Sequence, residues 1–72
     1  TNIQVVLSQD SEVKIELFDA ASKLVKVIRP SQVQKEGDEI YNANLQDVAA
    51  GVYNVVITID GVATHKKLIR IE

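Results

Sequence analysis

The chain has 72 residues, a formal net charge of −2 with acids and bases interspersed, and no cysteine. At this length only ~60% of the unfolded surface is buried on folding, which allows one small domain and leaves little room for an internal catalytic cavity. Disulfides, thiolate nucleophiles and cysteine-based metal sites are excluded. So is a basic field with stacking rings for nucleic acid, since the chain holds one Phe and two Tyr.

No apolar run nears the ~20 residues of a membrane-spanning helix. An apolar share of 46%, rich in Val and Ile, argues for a folded and strand-rich domain. No signal peptide opens the sequence, and Thr1-Asn2-Ile3 reads as the start of a strand in a piece of a larger protein.

The first predicted strand, 2–8, places Ile3, Val5 and Leu7 on one face. Gln9-Asp10-Ser11 is a polar turn. The second strand, 12–18, turns Val13, Ile15 and Leu17 inward and Glu12, Lys14 and Glu16 to water. The short separation predicts that strands one and two form a hairpin.

Asp19-Ala20-Ala21-Ser22 is a turn, with Asp19 able to accept backbone N–H bonds. A short helix over 19–25 is the competing reading, because Ala and Lys favour helix. The third strand, 23–29, is apolar on both sides, as a central strand or a bulged one would be. Pro30, lacking an N–H, ends it.

The polar stretch 31–38 reads as a surface loop crossing between two sheets. A fourth strand over 39–45 is anchored by Ile40, with Tyr41 on the opposite face and Leu45 near its end. Gly51 gives a sharp entry into the fifth strand. Tyr53 at its start can return its hydroxyl to an upstream carbonyl, a tyrosine corner with Leu45 on the other side.

Tyr53, Val55, Ile57 and Ile59 share one face; Val52, Asn54, Val56 and Thr58 share the other. Asp60-Gly61 predicts a type I′ hairpin into a last strand that runs to the end of the sequence. Short strands with frequent turn signals and one long crossing loop predict an all-β fold: a small antiparallel Ig-like sandwich of about six to seven strands, Greek-key in type.

Reactive constellations are sparse. His65 is the single histidine, beside Lys66 and Lys67, with no second imidazole or thiolate to share a metal. Ser8, Ser11, Ser22 and Ser31 have only His65 as a conceivable base. Glu12 and Glu16 alternate with Lys14 as a solvated face would, and Asp10, Asp19, Asp38, Asp47 and Asp60 fall in turns without calcium-loop spacing. The three glycines form no phosphate cradle. No cofactor, metal or catalytic residue is predicted, and a module for recognition, anchoring or sorting is expected rather than an enzyme.

The motifs then point to a family. Val13-Lys-Ile-Glu-Leu-Phe-Asp19, followed by Ala-Ala-Ser-Lys23-Leu24-Val25, resembles the strand, Asp, turn and Gly-Lys-Leu-Val unit of the C-terminal sorting domains of the Bacteroidetes type IX secretion system. Gly37 matches the glycine before the next strand, and Leu45 to Gly51-Val52-Tyr53 resembles the family's Leu-x-x-x-x-x-Gly-x-Tyr loop. Lys67-Leu68-Ile69-Arg70 resembles its closing basic and apolar motif. The resemblance covers roughly residues 11–72. Departures are Ser22 for the usual Gly, Ala49-Ala50 for Pro-Ala, Glu72 for a terminal Lys, and no Asn-Pro opening strand.

What the resemblance implies is a secretion signal covalently part of a larger cargo protein. Such a domain crosses the periplasm and is recognised by outer-membrane secretion machinery. A sortase-like protease usually removes it as the cargo reaches the cell surface or the medium. The family's placement of the signal carries it onto Lys67, Leu68, Ile69, Arg70, Ile71 and Glu72, while Asp19, Gly37, Leu45, Gly51 and Tyr53 shape the fold.

A last strand at a sheet edge offers backbone groups for strand addition, and Lys66, Lys67 and Arg70 give it charge. A dimer through an edge strand is the oligomer such an edge allows. The alternative is an Ig-like binding or spacer module of a surface protein, with Tyr41 the one aromatic placed to meet a carbohydrate.

Overall fold

The computed structural model describes residues 2–71, so Glu72 of the expected signal lies outside the described residues. Six strands follow one another: β1 (Asn2–Leu7), β2 (Ser11–Asp19), β3 (Leu24–Gln34), β4 (Gly37–Asn42), β5 (Gly51–Ile59) and β6 (Val62–Arg70). They form two antiparallel sheets, a larger one in the order β3-β2-β5-β6 and a smaller one of β1 and β4. The fold is all-β, as a small Ig-like sandwich requires.

Alternation explains the core. Ile3, Val5 and Leu7 of β1 are buried, as are Tyr53, Val55 and Ile57 of β5. Val13, Ile15 and Leu17 of β2 are fully buried. Each such aliphatic side chain contributes about 1.5–3 kcal/mol through the apolar surface it removes from water. Leu45 and Val48, from the loop between β4 and β5, join the same cluster.

The expected hairpin of strands one and two does not form. β1 pairs with β4, and β2 pairs with β3 and β5. Side by side in one sheet, the apolar faces of β1 and β2 would point the same way and still lack a cover. Crossing to the other sheet at the 8–10 bend lets one face bury the other. Ser11 consequently belongs to β2 and is buried, not part of the turn.

The third strand also departs from expectation. It runs past Pro30 to Gln34, so the 31–38 surface loop shrinks to Lys35 and Glu36. Pro30 fits because β3 is an edge strand and the β2–β3 register shifts between Val13 and Ile15. The exposure of Leu24, Val25 and Val27 follows from that edge position and from the bulges, not from a central place in the sheet.

The helix considered for 19–25 is absent, and a turn at 20–22 stands in its place. β4 ends at Asn42. Ile40 does not anchor it: at 63% exposure it lies on the outside of the smaller sheet with Val6, while Tyr41 on the opposite side packs against the core.

Candidate functional site

The local geometry is set by turns and a corner. Asp19 Oδ1 accepts from the backbone N–H groups of Ala21 and Lys23, each at 2.9 Å. That closes the β2–β3 turn around Ser22, which sits at φ 63°. Gly37 opens β4 at φ 110°. At the β5–β6 turn Asp60 and Gly61 have φ 49° and 85°, the pair of positive values a type I′ turn needs. The Asp60 carboxylate also accepts from Glu12 N–H at 2.8 Å, and Asp60 N–H donates to Glu12 C=O at 2.9 Å, so the turn is tied to β2.

Tyr53 is buried, and its hydroxyl donates to the Ala49 carbonyl. This closes the loop between β4 and β5 from within. Leu45 and Val48 fill the space beside it, and the Val48 N–H donates to Leu45 C=O at 3.0 Å. Gly51 begins β5 at φ 159°, near extended backbone, where a Cβ would stand 3.8 Å from the Tyr53 ring. Arg70 Nε donates to Val48 C=O at 2.7 Å from the other side. The corner loop is therefore held both by Tyr53 and by the end of β6.

β6 is the second edge of the larger sheet, paired only with β5. Its register sets Leu68 opposite Tyr53 and Ile69 opposite Val52. Leu68 is half-buried against the core, whereas Lys66, Lys67 and Ile69 are exposed and Ile71 beyond the strand is 80% exposed. A groove of about 530 Å³ separates Leu68–Ile71 from the 42–46 segment. The predicted signal residues Lys67, Leu68, Ile69, Arg70 and Ile71 thus lie in sequence along one edge, and Leu45 borders the groove lined by the last four of them. Asp19 and Gly37 lie in the turn after β2 and at the start of β4.

Several contacts had no signal in the sequence because they join distant segments. Lys26 Nζ donates to Asn44 C=O at 2.7 Å and to Asp47 Oδ1 at 3.0 Å. That hydrogen bond, with the lysine charge, holds the Asp47 carboxyl below its usual pKa. Gln34 is buried, its amide donating to Val5 C=O at 3.4 Å and its Oε1 accepting from the Tyr41 hydroxyl.

The Arg29 guanidinium lies 4.7 Å from the Tyr41 ring centre. Burial pushes the Tyr41 phenol up in pKa, with Arg29 opposing it. Tyr41 is thus engaged by two neighbours and is no open platform for a sugar ring. His65 lies exposed opposite Val56, and no group of three or more metal-ligating side chains occurs among the described residues.

The described residues thus form a two-sheet β domain whose polar groups shape turns and whose last strand carries Lys66, Lys67 and Arg70 along a sheet edge. A sequence model of the secretion system C-terminal sorting domain matches residues 1–72, and the chain belongs to this family, the sorting domains of type IX secretion. No curated protein and no solved structure matches it significantly. The family is one of sorting domains, not of enzymes. Membership assigns the chain to a larger cargo protein that meets the secretion machinery and is exported to the cell surface or beyond.

Proposed function

We propose that the end of β6 and the residues that follow it, together Lys67 to Glu72, carry the sorting signal, and that the rest of the sandwich holds this edge in a readable form. The observation behind this reading is the edge position of β6 within a chain of the sorting-domain family. Unpaired N–H and C=O groups along a free edge are a general means of capture by strand addition. Leu68 fixes the strand to the core, and Lys67, Ile69 and Ile71 stay available to a receptor.

In this reading the outer-membrane machinery binds the domain after it crosses the periplasm. A sortase-like protease then separates it from the cargo. Asp19, Gly37, Leu45, Gly51 and Tyr53 act by shaping the fold, not by touching the receptor.

The test is a reporter fused to residues 1–72 behind a signal peptide in a type IX-competent bacterium, compared with the same fusion ending at Thr64. Export of the first and periplasmic retention of the second is the expected result. Retention of both, while an established sorting domain exports the same reporter, would return the chain to the spacer-module reading.

A further inference from the structure

The two long sides of the sandwich are unlike. On the β3–β4 side the sheets are laced together by Lys26 to Asn44, Gln34 to Tyr41 and Arg29 over Tyr41. On the opposite side β1 and β6 face each other, each paired on one edge only, β1 with β4 and β6 with β5. Among the described residues no side-chain hydrogen bond or ion pair joins β1 to β6.

Two grooves, of about 270 and 150 Å³, lie between these strands instead. Their floor is apolar, from Ile3, Val55, Ile57 and Leu68. The charged groups that line them are Lys66 and Lys67, with no carboxylate.

We propose that this β1–β6 cleft accepts an extended peptide of alternating acidic and apolar residues, supplied by a partner protein. The inference rests on the sorting reading and gives the receptor contact a chemistry. A two-stranded sheet over a four-stranded one leaves the inner side of β6 short of a cover. A peptide strand along either free edge would gain ladder hydrogen bonds from the backbone. Its alternate side chains would point one way onto the apolar floor and the other way outward.

Lys67 lies on the outer face of β6, opposite Asn54, and would meet the outward carboxylates of such a strand; Lys66 lies on the cleft face, opposite Val55, and its exposed ammonium would meet them at the rim of the cleft. A second copy of β6 would instead bring like charges opposite one another, which is unfavourable in cross-strand pairs. An anionic surface would satisfy the lysines but would use neither the edge backbone nor the floor.

The test is a titration of the isotope-labelled 72-residue chain with a short synthetic peptide of alternating glutamate and valine, followed by amide chemical shifts. Saturable shifts are expected in both β1 and β6, with no effect from the lysine–valine counterpart. The exposed pair Lys66→Glu/Lys67→Glu should keep the fold and weaken binding by about tenfold or more, as expected for two surface ion pairs lost and reversed.

Absence of shifts in β1 and β6 would overturn the proposal. So would equal binding of tripolyphosphate, which would mark a simple cation patch, or concentration-dependent shifts without peptide, which would mark self-association. This experiment involves no secretion. Its failure beside a successful reporter export would remove the cleft and leave the sorting reading intact.

Discussion

Replacing Tyr53 by Phe removes one oxygen and leaves the buried ring in place, so it isolates the hydroxyl bond to Ala49. A net intramolecular hydrogen bond is worth about 1 kcal/mol. Ala49 is exposed, so water can reach the carbonyl that loses its donor, and the larger penalty of a buried unsatisfied group does not apply. The expected loss is therefore about 1 kcal/mol, or roughly 4–8 °C in Tm for a domain of this size.

Tyr53→Ala also forfeits the ring, at about 3–5 kcal/mol. That is comparable to the whole stability expected of so small a domain, roughly 5 kcal/mol. Urea unfolding followed by circular dichroism separates the two variants. Tyr53→Phe should shift the midpoint without changing the slope, and Tyr53→Ala should retain only about 0–2 kcal/mol and begin to unfold at the lowest urea concentrations. A Phe variant as stable as the parent would refute the claim that the hydroxyl closes the corner. A Phe variant as damaged as the Ala variant would refute the division between bond and ring.

Other outcomes follow from the same geometry. Ser22→Gly should stabilise the domain by about 0.5–1 kcal/mol in thermal melts, because Ser22 holds a φ of 63° that glycine adopts without a Cβ penalty. Gly61→Ala should cost about 1–2 kcal/mol from backbone conformation alone, since nothing lies within 4 Å of the added Cβ. In an NMR titration the Asp47 carboxyl should titrate below the usual 3.8, and Lys26→Met should move it back up. Because the folded form lowers this pKa, the contribution is present above the unfolded value and fades as pH falls through the folded one. It should vanish from the pH profile of the Lys26→Met variant.

The parts of this fold legible in the sequence are those where one face is dry and the other wet. Ile3-Val5-Leu7, Val13-Ile15-Leu17 and Tyr53-Val55-Ile57 alternate because each strand lies against the core on one side. Asp60-Gly61 is legible because few residue pairs accept positive φ at both positions.

Pairing was not legible, because the choice of β4 over β2 as partner of β1 depends on which faces must cover each other. β3 was obscure for a related reason: at the sheet edge, with bulges and Pro30 inside it, burial imposes little pattern. Ile40 misled because an exposed isoleucine in a short strand looks the same in sequence as a buried one. At the candidate site the motif residues could be read from the chain. The clamp from Arg70 to Val48, however, spans 22 positions and leaves no local trace.

The central claim is that the exposed edge of β6, and not merely a folded sandwich, is what the secretion machinery reads. The most direct measurement is reporter export by the Lys67→Glu/Ile69→Ser variant beside a Val6→Ser/Ile40→Ser control. All four residues are exposed, and circular dichroism would verify that each variant is folded. The account predicts that the β6 variant is folded yet retained, while the control, altered on the outside of the smaller sheet, is exported like the parent. Export of a folded β6 variant at the parent level would contradict it.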